Sequence, residues 1–394
     1  MSNALPWIDE ELDEIERRGL RRRRRIVEPL PGGRCRIDGR EMWNFAGNDY
    51  LNLSQDPRVI AAAQQAATEA GTGATASALI CGRTQWHARL EEQLAEFEGT
   101  ESALLFPTGF AANMGVIVAV VGREDAVFSD RLNHASLVDG CRLSKAALTI
   151  YDRKNLNALG EALSAAATVR RRLIVTDSIF SMDGDAAPLA ELCELAEAHD
   201  AMLLIDEAHA TGVFGAKGQG VAELAGIKNR VHFRVGTLSK AVGASGGFVS
   251  GSQSLIEWLW NRARSQVFST ALPPPVCAAA SAAVEIIRTE PQRRTELLQR
   301  CGDFRAALIT EGFATISAAV APIIPILLDD PQLAVRTAAA LEERGFLVGA
   351  IRPPSVPPGT SRLRITLSWA HDSRVIEEFT TALRDVLRDV AFGS

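Results

Sequence analysis

The sequence lacks the features of several common classes of protein. Its six cysteines lie far apart and include no C-x-x-C pair, which argues against a zinc site or a dithiol redox centre. No run of about 18 apolar residues predicts a membrane-spanning helix. The first residues are acidic and lack the basic and apolar regions of a signal peptide. We therefore expect a soluble cytoplasmic protein without a metal site.

Two further absences exclude nucleic-acid partners and one class of motor enzyme. The chain has 42 Lys and Arg against 48 Asp and Glu, a net charge of -6, so it lacks the basic surface that binds phosphate backbones. The string Asp206-Glu207-Ala208-His209 is also found in helicases. No G-x-x-x-x-G-K-[ST] loop accompanies it, so we set that interpretation aside.

The pattern of apolar residues predicts an α/β fold with two lobes. At 394 residues, 47% of them apolar, the chain can form a large core. Between Ala103 and Ser250 short, continuous apolar runs alternate with helical segments, which is typical of a mostly parallel central sheet covered on both faces. The strand candidates are Ala103–Phe106, Ala126–Ser129, Leu173–Thr176, Met202–Ile205, Val231–Val235 and Gly247–Ser250.

The predicted domains are an N-terminal helix and hairpin segment (1–45), a large domain (46–285) and a smaller C-terminal α+β domain (286–394). A helix is expected from about Ile8 to Arg25 and a long helical stretch from about Val276 to Arg305. The first helix would end in five arginines, Arg21 to Arg25. These form either a solvated helix end or a clamp for an anionic substrate, which the forked guanidinium suits.

Polar clusters follow the predicted strands, where ligands of parallel α/β sheets bind. A glycine turn at Gly109 opens a helix after the first strand and could hold a phosphate. His134 follows the second strand, Asp177 the third and Asp206 the fourth. Each residue alone could be a helix cap or a packed side chain. Their recurrence at successive strand ends indicates a single site.

Lys240 is the candidate reactive amine of this site. It stands in the stretch Val235–Phe248, after a strand and before a glycine-rich run. A lysine in such a place can form a Schiff base with an aldehyde cofactor, and the hydroxyls of Thr237 and Ser239 could hold that cofactor's phosphate. On this stretch alone, an ordinary surface lysine in a turn is equally consistent.

Together these motifs resemble the pyridoxal-phosphate (PLP) enzymes of fold type I, and within them the α-oxoamine synthases, over nearly the whole chain. The last of the matching segments favours the members that act in biotin biosynthesis. The segments are Gly47–Leu51, Thr108–Asn113, Asn133–Ser136, Phe180–Gly184, Asp206–His209, Thr237–Lys240, Ser269–Pro274 and Arg352–Pro357.

The resemblance implies a role for each polar group of the PLP pocket. Lys240 would hold the cofactor covalently and move protons at the substrate. Asp206 would keep the pyridine nitrogen protonated, and His134 would stack on the ring. His209 and Ser181 would lie near the ring's phenolic oxygen. The phosphate would be bound by four further residues, the last from a second subunit of a homodimer: Gly109, Phe110, Thr237 and Thr270.

The resemblance also implies a decarboxylative condensation of a small amino acid, L-alanine, with an acyl thioester such as pimeloyl-CoA or pimeloyl-ACP. Arg364, or alternatively Arg362, would bind the amino acid carboxylate through a bidentate pair. Four other residues are expected at the substrates, the two arginines at the acyl donor: Arg21, Arg23, Asn48 and Ser355.

One departure from the family and two alternatives bear on this expectation. Ala78 stands where relatives usually carry an arginine, which weakens the inference of a pimeloyl donor. The first alternative is a sister synthase that uses glycine or serine with another acyl donor. The second is a non-catalytic binding protein with the same fold.

Overall fold

The computed structural model describes residues 5–22, 24–313 and 321–392. The helices are α1 (Pro6–Arg17), α2 (Pro57–Ala70), α3 (Gln85–Glu98), α4 (Gly109–Val120), α5 (Ala135–Ser144), α6 (Leu156–Ala165), α7 (Leu189–Ala198), α8 (Val221–Leu224), α9 (Gln253–Arg262), α10 (Arg264–Val267), α11 (Pro274–Thr289), α12 (Gln292–Thr310), α13 (Pro331–Glu343) and α14 (Ser373–Phe392). The strands are β1 (Glu28–Leu30), β2 (Arg34–Ile37), β3 (Arg40–Asn44), β4 (Ser102–Phe106), β5 (Ala126–Asp130), β6 (Ala147–Tyr151), β7 (Arg172–Asp177), β8 (Met202–Asp206), β9 (Phe233–Thr237), β10 (Gly247–Gly251), β11 (Ile323–Asp329), β12 (Phe346–Leu347), β13 (Gly349–Ile351) and β14 (Ser361–Thr366).

The chain divides into two compact units. The large unit comprises Asn48–Ser181 and Asp185–Leu298, and the small unit comprises Met1–Gly47, Met182–Gly184 and Gln299–Ser394. The sequence analysis drew its boundaries after residues 45 and 285. The N-terminal hairpin lies in the small unit, because β3 pairs in parallel with β12. Its turn is at Asp38–Gly39, as predicted.

The large unit is built on a sheet in the order β4-β10-β9-β8-β7-β5-β6. Strands β5 to β9 pair in parallel, and β10 runs antiparallel to both of its neighbours. This confirms the predicted α/β class with a mostly parallel central sheet. The six predicted strands all occur in it. Strand β6 was not predicted; it lies at the edge, where Leu148 and Ile150 stay exposed.

Helix α4 packs its apolar face on this sheet. Ala112, Val116 and Ile117 belong to a buried cluster with side chains of the central strands, including Val175 and Val235. Residues spaced by four along a helix, such as Ala112 and Val116, share one face. The chain enters α4 directly after the end of β4. The start of α4 is thereby fixed at the strand ends.

Two predicted helices differ from the observed ones, the first in length and the second in continuity. α1 ends at Arg17, so Arg21 and Arg22 lie in an irregular segment rather than on a helix, and Arg23 is outside the described residues. The predicted stretch from Val276 to Arg305 is two helices separated at Glu290 and Pro291. Proline has no backbone N–H to donate and its ring clashes with the preceding turn, which explains the break. Within the described ranges, no helix is both long and apolar enough to cross a bilayer.

The small unit has an aromatic core around Phe45. Its ring stacks on Phe379 of α14 at a centroid distance of 4.3 Å and on His371 at 4.1 Å. His371 is fully buried, and its Nδ1 accepts a hydrogen bond from the Ser368 N–H. Burial lowers the pKa of His371 to about 4. The imidazole is therefore neutral in the folded protein at neutral pH.

From the buried His371 we predict that the free energy of unfolding falls in mild acid. Its folded-state pKa lies below the unfolded value of 6.5, so the unfolded chain binds the extra proton as pH falls from 6.5 to 4. The free energy of unfolding should drop by about 3 kcal/mol over this range from His371 alone. Urea unfolding at several pH values measures it. His371→Asn, which keeps an acceptor for Ser368, should remove that part of the slope, and equal slopes would contradict the assignment.

Candidate active site

Lys240 and His209 meet beyond the ends of β9 and β8. Lys240 Nζ lies 2.8 Å from His209 Nε2, and His209 Nδ1 lies 2.6 Å from the hydroxyl oxygen of Tyr50. Tyr50 is fully buried and His209 is 5% exposed. Tyr50 Oη is also 3.4 Å from Asn48 Oδ1, which places Asn48 next to this chain of contacts. The amine thus has a buried histidine within proton-transfer distance.

Asp206 ends β8, and both of its carboxylate oxygens accept hydrogen bonds. Oδ1 accepts from the backbone N–H of Ala208 at 2.7 Å, and Oδ2 accepts from Asn113 Nδ2 at 2.5 Å. Asn113 comes from the first half of α4, a different strand end. The sheet register places Asp177 opposite Asp206 on the neighbouring strand β7. Burial and then the like charge of Asp206 raise the pKa of Asp177 well above its usual range.

His134 is the N-cap of α5. Its backbone N–H donates to Asp177 Oδ2 at 2.7 Å, and its ring Nδ1 lies 2.8 Å from Ser136 Oγ. Burial lowers the pKa of His134, despite the opposing effect of the Asp206 charge. Phe110 stands edge-on to the His134 ring at 6.3 Å between centroids, with 41% of its surface exposed.

The start of α4, the end of β9 and the start of β10 form a cradle with little room for side chains at two glycines. A Cβ on Gly247 would lie 2.6 Å from Gly109 N, closer than side chains tolerate, and one on Gly109 would lie 3.3 Å from Thr237. Thr237 Oγ1 donates to the Gly246 carbonyl and lies 2.8 Å from Ser239 Oγ. Backbone N–H groups at a helix start, beside hydroxyls, suit a phosphate.

Thr270 and Ser181 occupy defined loops of the large unit. Thr270 pairs with Ser77 in an isolated antiparallel bridge, next to a hydrogen bond from Ala271 N to Ala76 O. Ser181 begins the turn enclosed by the bridge between Ile179 and Ala186.

The substrate residues predicted from the small unit differ in their surroundings. Arg362 is ion-paired with Asp183 and donates to the Thr360 carbonyl at 2.9 Å. Arg364 is also buried on β14, and its Nη1 donates to Thr366 Oγ1 at 3.0 Å. Ser355 Oγ accepts from Arg22 at 3.2 Å. Arg362 therefore already binds a carboxylate, that of Asp183.

Arg21 is ion-paired with Glu16 at 3.5 Å, and both side chains are more than 40% exposed. Such a pair is weak and screened by water, so it leaves Arg21 able to bind an anion. Ala78 begins a short π-helix, Ala78–Gly82. Across residues 5–22, 24–313 and 321–392, no three or more His, Cys, Asp or Glu side chains are grouped to hold a metal.

The residues of the large unit fit PLP by their chemistry. They supply an amine beside a buried histidine, a buried carboxylate and a helix start shaped for a phosphate. Comparison with known proteins agrees. The family model for aminotransferase class I and II matches residues 40–383.

Sequence identity to curated relatives identifies the family within the class I and II aminotransferase group. The chain is 51% identical to an 8-amino-7-oxononanoate synthase of Anaeromyxobacter dehalogenans, covering 98% of this chain and 97% of the relative. It is 47% identical to one of Methylococcus capsulatus, with 95% and 97% covered. The chain belongs to the PLP-dependent α-oxoamine synthases. It is therefore a PLP-dependent acyltransferase, and the alternative of a non-catalytic binding protein does not hold.

Solved structures share the fold over most of their length. A serine palmitoyltransferase from S. paucimobilis with bound PLP–myriocin has a TM-score of 0.93 at 29% identity, with 98% of each chain covered. An 8-amino-7-oxononanoate synthase from Francisella tularensis has a TM-score of 0.75 at 26% identity, with 89% of this chain and 98% of that chain covered.

The structure brings in residues to which the sequence analysis gave no role. Tyr50 contacts His209, and Asn113 and Ser136 lie between Asp206 and His134. All three stand inside motifs that carried the family resemblance. The sequence did carry a signal for these residues, since each is a polar residue among apolar neighbours. Buried polar groups need hydrogen-bond partners, so such residues are candidates for a polar site. The partners come from other strand ends, which spacing along the chain does not reveal.

Replacing Lys240 tests the central residue. Lys240→Ala should fold and yet lose the visible absorbance of the bound cofactor, because no amine remains to attach it. Turnover should fall at least about 100-fold. Absorbance spectra and mass spectrometry after borohydride reduction measure both binding and the attachment site. Lys154→Ala, at an exposed lysine, is the control. Covalent PLP retained in Lys240→Ala would contradict the assignment.

Proposed function

We propose that the enzyme condenses L-alanine with a pimeloyl thioester to give 8-amino-7-oxononanoate, a step of biotin biosynthesis. The observation that carries this proposal is the 51% identity over almost the full length of both chains with a synthase of that name. In the reaction, the α carbon of alanine loses its proton and forms a bond with the thioester carbonyl carbon. The C–S bond breaks and the thiol leaves. The carboxylate then leaves as carbon dioxide, and a proton takes its place.

The residues of the large unit divide the work of holding the cofactor and moving protons. Lys240 would attach PLP, Asp206 would hold the proton on its ring nitrogen, and His134 would cover the ring. When bound, PLP draws electrons from the α carbon of the amino acid. The phosphate would be held by Gly109, Phe110 and Thr237, with Thr270 of a second copy.

Lys240 would take the α proton, and His209 is placed to share it. The 2.8 Å contact between Lys240 Nζ and His209 Nε2 is within the distance for direct transfer. Tyr50 holds the other ring nitrogen at 2.6 Å. His209 is therefore fixed on both sides. His209 and Tyr50 are both buried, so bulk water has little access to the histidine.

A homodimer with shared sites accords with the surface next to Thr270. Phe268 is 71% exposed and Ile80 is 76% exposed, and both flank the bridge between Ser77 and Thr270 in sequence. Two exposed apolar side chains beside the same bridge accord with a surface that another protein covers. A second copy of the chain is the partner we propose, and it would bring Thr270 to the other cradle.

A sister reaction with serine is the second candidate, favoured by the higher TM-score to serine palmitoyltransferase. Backbone likeness reports the shared fold, whereas substrate choice depends on the side chains that line the site. The 51% identity to the biotin enzyme, against 29% to the palmitoyltransferase, therefore weighs more. L-alanine is accordingly the first choice of amino acid.

A product assay separates the two candidates. Purified enzyme with PLP, L-alanine and pimeloyl-CoA or pimeloyl-ACP should release thiol and carbon dioxide in equal amounts, with the amino ketone identified by mass spectrometry. L-serine with palmitoyl-CoA and glycine with acetyl-CoA serve as parallel reactions. Turnover in either parallel reaction, without any on L-alanine, would overturn the proposal.

Two arginines on one strand provide a matched test of amino acid binding. Arg364→Lys should raise KM for the amino acid by about 10- to 100-fold, because an ammonium cannot form the bidentate pair. Arg362→Lys should instead lower thermal stability by weakening the pair with Asp183, with KM little changed. Steady-state kinetics and melting curves measure both. The reverse pattern would assign the carboxylate to Arg362.

A further inference from the structure

Asn113 and Ser136 form a buried link between the two residues proposed to face the cofactor ring. Asn113 Nδ2 lies 2.5 Å from Asp206 Oδ2 and 2.9 Å from Ser136 Oγ. Ser136 Oγ lies 2.8 Å from His134 Nδ1. Asn113 and Ser136 are at most 1% exposed. The link therefore runs from the end of β8 through α4 to the first turn of α5. It is buried from Asp206 to Ser136, and its His134 end is exposed.

The direction of each hydrogen bond follows from its start at a carboxylate. A carboxylate only accepts, so Asn113 must present its NH₂ to Asp206. The second hydrogen of that NH₂ then points to Ser136 Oγ, which accepts it. The Ser136 hydroxyl is left to donate, and the atom within its reach is His134 Nδ1. The Ser136 backbone N–H is directed at the same nitrogen, at 3.3 Å.

The other end of the Asn113 amide supports this orientation. Asn113 Oδ1 is buried and has no hydrogen-bond partner among the described residues. Turning the amide over would place that oxygen against the Asp206 carboxylate, and both atoms only accept. Leaving a buried carbonyl oxygen unpaired costs free energy. The hydrogen bond from the Asn113 NH₂ to Asp206 must therefore stabilise this orientation by more than the unpaired Oδ1 costs.

We propose that Asn113 and Ser136 are positioning residues that fix His134 as the neutral tautomer with its proton on Nε2, while Asn113 also orients the Asp206 carboxylate. Two donors reach Nδ1, so the ring proton is confined to Nε2. A neutral imidazole does not compete as a cation for the Asp206 carboxylate. This inference rests on the proposed function for the roles of His134 and Asp206, and the hydrogen-bond link itself does not depend on the substrate.

Nitrogen NMR of the holoenzyme labelled with ¹⁵N-histidine tests the proposal, because the shifts of Nδ1 and Nε2 separate the tautomers. His134→Gln identifies the resonances. In the wild type, His134 should show unprotonated Nδ1 and protonated Nε2. In Ser136→Ala the Nδ1 resonance should move toward the protonated position, whereas Ser136→Thr, which keeps a hydroxyl, should retain the wild-type pattern. Ser250→Ala, at a buried serine on β10, should leave it unchanged.

Asn113→Leu provides an independent variant of similar size. It removes both hydrogens of the Asn113 amide, so the Ser136 hydroxyl is no longer held as a donor to His134. The His134 resonances should then shift in the same direction as in Ser136→Ala, with folding followed by circular dichroism. A wild-type His134 with protonated Nδ1, or an unchanged tautomer in both Ser136→Ala and Asn113→Leu, would overturn the proposal. No substrate is present in this measurement, so a negative product assay would overturn the proposed function and leave this result standing.

Discussion

The buried carboxylate of Asp206 is the constraint on which the rest of the site depends. A carboxylate that leaves water needs donors around it, and the donors here come from its own loop and from α4. The hydrogen bond that Asn113 donates to Asp206 fixes the orientation of the Asn113 amide. The amide in turn orients the Ser136 hydroxyl, and through it the His134 ring. Because the first turns of α4 and α5 both come to the end of β8, one charge organises residues far apart in sequence.

Asp177 shows how the same sheet edge accommodates a second acid. It stands opposite Asp206 in the parallel register and accepts the His134 N–H. Two buried carboxylates so close cannot both ionise at low cost, and the pKa of Asp177 rises accordingly. Its carboxylate holds the backbone at the start of α5, where it accepts the His134 N–H.

The sequence was sufficient to predict the parallel sheet and the residues at its strand ends. Strands that are covered on both faces consist of consecutive apolar residues, which can be seen in the sequence. This pattern predicted β4, β5, β7, β8, β9 and β10, whereas the edge strand β6 is partly exposed and was not predicted. Motif and position together predicted Lys240, Asp206, His134 and His209 as site residues, and the structure brings Lys240 next to His209. Contacts such as Tyr50 to His209 join elements about 160 residues apart. Such contacts follow from tertiary packing, which local patterns do not encode.

The discontinuous small unit has a consequence for synthesis. Strand β3 is made early, but its parallel partner β12 follows about 300 residues later, which at ordinary ribosomal rates takes about 15 to 60 s. During that time the outer edge of β3 has no partner strand. The hairpin of β2 and β3 carries ion pairs between its strands, from Arg34 and Arg36 to Glu41. Charged side chains on an open strand edge oppose pairing with other nascent chains. These charges therefore protect the hairpin from aggregation until β12 has been synthesised.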